Sequence, residues 1–345
     1  MSFSCKVKSS KENKIWKEGF HLEANTSIPA QANSFKKKGA AILKRYPLLR
    51  EYGKNKYLII LLMPILVYYA VFHYAPMYGI VLAFKEFFPL KGIAGSPWIG
   101  FEHFKTLFTG LDFLPVLKNT LIISLYKLLF GFPAPILLCL LINEVRHAHF
   151  KKAVQTITYL PHFISWVVLA GFIIEMLSPS RGPINILLQY MGFKPVFFIA
   201  EASWFRTVIV ASGIWREVGW QSVVYLAAVA GIDPELYDVA DIDGAGRIRR
   251  IWSITLPSIL PVVIIMFIFA TGSIINDDFD QIFNLLNAKV LSVGDVISTY
   301  TYREGMVNMN FGYATAVGLF KNVVAFILVM YTNFIARKYS NYAIL

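Results

Sequence analysis

The chain has 345 residues, 56% of them hydrophobic and only 16% charged, with a formal net charge of +12 and a mean hydropathy of +0.55. A soluble domain carries about 45–50% apolar and about 25% charged residues, so the apolar excess predicts an all-α integral membrane protein whose outer surface faces hydrocarbon. The two cysteines, Cys5 and Cys139, lack ligand-like spacing, which argues against a disulfide framework or a zinc site.

Residues 1–57 are basic, with Lys36, Lys37, Lys38, Lys44, Arg45 and Arg50 close together. They read as a cytoplasmic tail, at least partly disordered, lying against anionic membrane lipid rather than as an arm for nucleic acid. Six apolar segments follow, near 58–81, 119–142, 153–177, 204–230, 258–276 and 313–336. Each approaches or exceeds the roughly 20 residues a helix needs to cross a bilayer core. The first begins too late and is too long for a signal peptide, so it reads as a retained span. Residues 58–345 are therefore expected to form one six-helix transmembrane domain. With both termini in the cytoplasm, the inner segments hold 21 Lys plus Arg and the outer segments eight, as the positive-inside rule requires.

Charges inside the spans are costly against lipid and usually face an interior cavity. Lys127 in the second segment and Lys321 in the sixth are expected about 12 Å deep, and Arg216 in the fourth about 18 Å deep, near the midplane. Trp220 follows Arg216 by one helical turn and could stack on a sugar ring, with Glu217 and Gln221 on the neighbouring face to bind hydroxyls. Asn276, Asp277 and Asp278 lie near the outer end of the fifth segment. These residues are the expected substrate path, set against the plainer reading that they pair and hold helices together. The three cations Lys127, Arg216 and Lys321 point to an acidic sugar such as a uronate oligomer. His147 and His149 flank a basic loop that needs no metal, and His162 follows Pro161, where a local bend is expected.

The segment 231–257 carries the most specific pattern. Asp233 can cap a short helix with Pro234 in its first turn and Glu235 at its positive end. Leu236, Val239 and Ala240 share one face of that helix. Asp243-Gly244 reads as a break, with Ala245 following. Ile248, Ile251, Trp252 and Thr255 then line a second helix, which Pro257 is expected to end. A helix pair of this kind is a natural docking surface.

The spacing Asp238-Val239-Ala240, three residues, Gly244, nine residues, Ile254-Thr255-Leu256-Pro257 resembles the EAA loop of ABC importer permeases. Asp238 stands for the family's Glu and Val239 for its Ala. Pro76–Lys85, Tyr159–Trp166, Phe279–Phe283 and Tyr313–Lys321 resemble the complex-carbohydrate branch of that family. The resemblance covers about residues 58 to 345. It implies a second homologous permease, two ATPase subunits that carry ATP and magnesium, and an extracytoplasmic sugar-binding protein. It also implies that Glu235, Leu236, Asp238, Val239, Ala240, Asp243, Gly244, Ala245, Ile254, Leu256 and Pro257 couple the chain to its ATPase. The chain has no GxxxxGK[ST], HExxH or GxSxG motif, so no catalytic residue, metal or cofactor is expected on it. The alternative is an ion-coupled secondary sugar transporter, for which Glu217 is the main mid-span acid.

Overall fold

The computed structural model describes residues 55–275 and 277–339. The basic tail up to residue 54, Cys5 included, and Asn276 lie outside them. Among the described residues the chain is helical, and its only β pairing is a single bridge between Lys85 and Trp98.

The chain divides into a unit ending at Ala75 and a unit beginning at Pro76. The first holds α1 (Lys56–Tyr69), with Pro64 inside it, and a π-helical turn over Ala70–Tyr74. It exposes large apolar side chains on every face, from Tyr57 and Leu58 to Phe72 and Tyr74. A helix apolar all round needs either a core or hydrocarbon around it.

In the second unit, α2 (Glu102–Thr109) precedes α3 (Phe113–Tyr126). A π turn over Lys127–Gly131 carries α3 into α4 (Pro133–Glu144). Next come α5 (Ala148–Tyr159) and α6 (Trp166–Met176), then α7 (Pro183–Tyr190) and the 29-residue α8 (Ala202–Ala230). The remainder comprises α9 (Pro234–Ile242), α10 (Leu256–Gly272), α11 (Phe279–Leu285), α12 (Ile297–Tyr302) and α13 (Phe311–Tyr339).

Four continuous helices among the described residues are long and apolar enough to cross a membrane: Tyr57–Phe84, Phe113–Glu144, Arg247–Gly272 and Phe311–Lys338. A fifth span results if the pair Ala148–Phe163 and Trp166–Met176, bent by 108°, is counted as one. Six spans are thus not reached by length and composition. The expected fourth span, α8, is about 44 Å long but carries Arg206, Arg216 and Glu217.

Three boundaries differ from expectation. The second span begins at Phe113, six residues early. The third is not one helix: Pro161 sits in a 3-10 turn, the backbone extends at Ile164 and Ser165, and the Ser165 hydroxyl then caps α6 by accepting from Val168 N. The bend anticipated at Pro161 is a full break. Nor does Pro257 end its helix. A short helix over Arg247–Arg250 and a π turn over Ile251–Thr255 lead straight into α10. Proline is tolerated in the first turn that follows because its missing N–H is not needed there.

Helix α8 is the centre of the second unit and packs against α3, α4, α5 and α10. Phe205 and Ile209 join Ile123, Leu169 and Leu285 in one apolar cluster, while Tyr225 and Val229 meet Cys139 and Ile259 in another. Gly219 makes the α8–α5 crossing possible, since a Cβ there would overlap the Thr158 carbonyl. We therefore expect Gly219→Ala to destabilise the fold by about 1–3 kcal/mol through overpacking. Gly171→Ala, whose Cβ meets open space, should not. Thermal unfolding of the two variants in detergent checks this, and equal melting temperatures would refute the close crossing.

Candidate functional site

A half-open cleft of about 430 Å³ lies between α3–α4, α8 and α10, closed at one end by the segment that joins α10 to α11. Its polar lining is Ser124, Lys127, Glu217, Gln221, Ser273, Asp277 and Asp278, set among Ile123, Leu128, Phe132, Ile214 and Val218. Lys127, Glu217, Gln221, Asp277 and Asp278 were expected on the path and converge here, although they come from three stretches of the chain. Because α3 starts at Phe113, Lys127 lies about 21 Å along its helix rather than 12 Å, and Arg216 lies about 21 Å along α8. Lys321 lies about 15 Å along α13.

Each of these cations has an acidic partner. Lys127 Nζ is 2.9 Å from Asp278 Oδ2 and donates to Gln281 Oε1 at 2.7 Å. Lys321 Nζ lies 3.7 Å from Asp277 Oδ1. Arg216 donates to Glu217 Oε1 at 2.7 Å and to the His162 carbonyl at 3.2 Å. In a medium that solvates ions poorly, an uncompensated charge costs several kcal/mol, so pairing is the expected outcome. The pairing reading therefore holds for every one of these cations. It coexists with the cleft, because Lys127, Glu217, Asp277 and Asp278 are paired and also line it.

Arg216 and Trp220 are not in the cleft lining. The Arg216 guanidinium lies over the Trp166 ring, 4.9 Å from its centroid. Trp220 stacks flat on His162, 4.7 Å between centroids, with Phe163 edge-on. One face of Trp220 is thus occupied by protein. His162 Nδ1 also lies 3.0 Å from Glu217 Oε2, so the break between α5 and α6 is pinned to α8. His162 had been read only as part of a bend. Its place in Tyr159–Trp166, one of the stretches with family resemblance, was the available signal.

Asp277 has a side chain that is 1% exposed. Its Oδ2 accepts from Ser298 N at 3.1 Å, while Oδ1 has no hydrogen-bond partner. Burial pushes this carboxyl up from the ordinary aspartate value, and the Ser298 N–H and Lys321 pull it part of the way back.

The 231–257 segment folds largely as its sequence predicts. Asp233 caps α9 by accepting from Glu235 N at 3.0 Å, and Pro234 opens the helix. Gly244 sits at φ +70°, a left-handed conformation, and forms the break with Asp243. Two bonds hold the angle of the pair. Arg250 is ion-paired with Asp241, and the Tyr237 and Thr255 hydroxyls are 2.9 Å apart. Leu236, Val239, Ile242, Ile248 and Trp252 are exposed, whereas Ala240 and Ile251 are half-buried and Thr255 is buried, so the apolar faces expected on the two helices are partly uncovered. Asp238 and Ala245 lie on this element, and Ile254, Leu256 and Pro257 on the helix that continues from it.

The description "Binding-protein-dependent transport system inner membrane component" matches residues 128–341. The chain is 44% identical over 296 residues to the polygalacturonan/rhamnogalacturonan transport system permease protein YteP of Bacillus subtilis, covering 86% of this chain and 92% of that protein. It is 43% identical to the protein LplB of the same organism, covering 83% and 90%. Among solved structures, it is similar to a bacterial ABC transporter involved in the import of the acidic polysaccharide alginate. The TM-score is 0.79 at 42% identity, over 85% of this chain and 99% of that one. A second structure, the alginate ABC transporter in complex with alginate pentasaccharide-bound periplasmic protein, gives 0.80 at 40% identity, over 87% and 100%.

The raised Asp277 carboxyl gives a pH-dependent expectation. A group whose folded pKa lies above its unfolded value contributes stability that is lost as pH rises through the folded pKa. Lys321→Met removes a charge that opposes the rise. Its melting temperature should therefore fall further below wild type at about pH 7.5 than at about pH 4.5. Adding Asp277→Asn should recover more than half of the loss. Thermal melts of the three proteins at both pH values provide the check, and a pH-independent deficit would count against a buried Asp277–Lys321 pair.

Proposed function

The chain belongs to the family of binding-protein-dependent transport system inner membrane components, and from that premise we propose that it carries an acidic oligosaccharide through the membrane by way of the charged cleft. It is a permease subunit of an ABC importer, a membrane transport subunit and not an enzyme. Membership of this family sets aside the ion-coupled carrier. The observation that carries the acidic-substrate reading is Lys127, a lysine held in a cleft between helices and midway along one of them. An interior charge of this kind in a spanning bundle marks a substrate or ion path. Relatives named for polygalacturonan and for alginate, both chains of sugar acids, support the same class.

The chain works beside a second, homologous permease, with two ATPase subunits that bind ATP and magnesium and an extracytoplasmic protein that delivers the sugar. Six spans, with both termini in the cytoplasm, follow if α5–α6 counts as one broken span and α8 as another. The three charges of α8 are no obstacle, because Arg206 donates to Asn119 Oδ1 and to the Val293 carbonyl while Arg216 and Glu217 pair. The basic tail and the Lys plus Arg asymmetry support this orientation. On a cysteine-free background, cysteines at Gly110 and Lys289 should react with an impermeant maleimide from outside, and one at Gly246 only from inside. Reaction of position 246 from outside would overturn the topology.

The 231–257 segment docks in a cleft of the ATPase through Leu236, Val239 and Ile242 and passes its movement to α10. Its fixed angle and exposed apolar faces support this role. Gly244 decides the test, because its positive φ strains a β-branched residue but is tolerated by asparagine. A Cβ at Gly244 meets nothing within the chain, so lack of space in the isolated permease is not the issue. In proteoliposomes holding the whole importer, Gly244→Val should lower sugar-stimulated ATP hydrolysis about ten-fold or more, while Gly244→Asn stays within about three-fold of wild type. Wild-type stimulation of an assembled Gly244→Val complex would remove the segment from the coupling path.

A further inference from the structure

The side chain of Gln281 touches both Lys127 and the Ile209–Ser212 turn of α8, and it is fully buried. Its Nε2 donates to the Ile209 carbonyl at 2.6 Å and to Ser212 Oγ at 2.9 Å. Its Oε1 accepts from Lys127 Nζ at 2.7 Å. The amide has only one workable orientation, since a carbonyl can only accept and an ammonium can only donate. Gly213 makes room for the arrangement: a Cβ there would stand 3.3 Å from Gln281 Nε2 and 3.6 Å from Lys127 Cε. Gln281, anchored to α8, therefore fixes the ammonium of Lys127, which stands where α3 opens into a π turn. Such turns are frequent at functional sites.

The second partner of that ammonium is of another kind. Asp278 is 55% exposed at its side chain, whereas Lys127 is 23% exposed. It belongs to the short non-helical stretch before α11 rather than to a spanning helix, and it accepts from Lys127 through a single oxygen, Oδ2. A buried neutral amide thus orients the lysine from behind, and a half-exposed carboxylate covers it from the cleft side.

Resting on the reading of the cleft as a path for sugar acids, we propose that Lys127, oriented by Gln281, is a binding site for the carboxylate of a uronate unit, and that Asp278 holds its place until the sugar arrives. The exchange is carboxylate for carboxylate and involves no covalent step. It discriminates among substrates, because a neutral sugar would have to displace Asp278 without returning a charge to Lys127. The released Asp278 carboxylate is exposed enough to be taken up by water. Gln281 is a positioning residue in this scheme and meets no substrate.

The test is equilibrium binding of a galacturonate trimer and of its fully methyl-esterified form to the importer in nanodiscs. The complex contains the partner permease and ATPases but no binding protein, so that protein's own preference does not enter. One charge-assisted hydrogen bond corresponds to about a ten-fold preference of the wild-type complex for the acid over the ester. Lys127→Gln should bring that ratio close to one, and Gln281→Leu should lower it at least about three-fold. Asp278→Asn should move the other way and tighten binding of the acid at least about three-fold, a gain that misfolding cannot imitate. An unchanged ratio in Lys127→Gln, or weaker acid binding in Asp278→Asn, would overturn the proposal. So would a wild-type complex that binds acid and ester alike. In each of those cases ATP-driven uptake of the trimer by the full importer with its binding protein would leave the transport reading standing, and only absence of that uptake would bring both down.

Discussion

The structure depends on one constraint: a charge inside a bundle of apolar helices must bring its counter-charge with it. Lys127 on the α3–α4 span and Lys321 on α13 both find theirs on one short stretch, at Asp278 and Asp277. Arg216 finds its own on the next residue, Glu217. The stretch between α10 and α11 is therefore pulled towards two helices at once, and Gln281 ties its far side to α8. A cleft with five ionic or amide side chains at its wall is what remains where these helices cannot close on each other. The polar groups that line the cleft are the same groups that tie these helices to one another.

A second level of organisation lies at the other end of α10. The helix that begins at Arg247 passes through a π turn and through Pro257 without a stop, and ends at Gly272 beside the charged stretch. Its start is fixed to α9 by Arg250–Asp241 and by Tyr237–Thr255. The break between α9 and this helix is the turn at Asp243–Gly244, where at Gly244 the backbone conformation, and no packing, limits what residue can stand.

Much of this was legible in the sequence, and for physical reasons. Apolar runs of bilayer length give four of the six expected spans as continuous helices, and the Asp233-Pro234-Glu235 start and the Asp243-Gly244 stop are local signals that need no partner. Of the residues expected to face an interior path, Lys127, Glu217, Gln221, Asp277 and Asp278 lie at one cleft, whereas Arg216, Trp220 and Lys321 do not line it. What local reasoning missed depends on distant residues. Pro257 reads as a helix stop, but a π turn just before it lets the helix run on. Pro161 reads as a local bend, yet the chain breaks there by 108°, and His162 in the break bonds across to Glu217. Trp220 is amphipathic and stays 45% exposed, but one face of its ring is taken by His162, and no periodicity reports that. Gln281 lies in Phe279–Phe283, one of the stretches with family resemblance, but its role shows only in the three bonds of its amide.

The unbroken passage through Pro257 has a mechanical consequence. Twenty-six residues from Arg247 to Gly272, with Pro261 among them, make one continuous helical arm about 39 Å long. Tilted by about 5° about the Arg247 end, such an arm carries the Gly272 end sideways by about 3 Å, the length of a hydrogen bond. Asp277 and Asp278 stand five and six residues beyond Gly272, and a displacement of this size is commensurate with the 2.9 Å contact between Asp278 and Lys127. A helix stopped at Pro257 would be two shorter arms with a joint between them, and the joint would absorb an angle this small before it reached the charges.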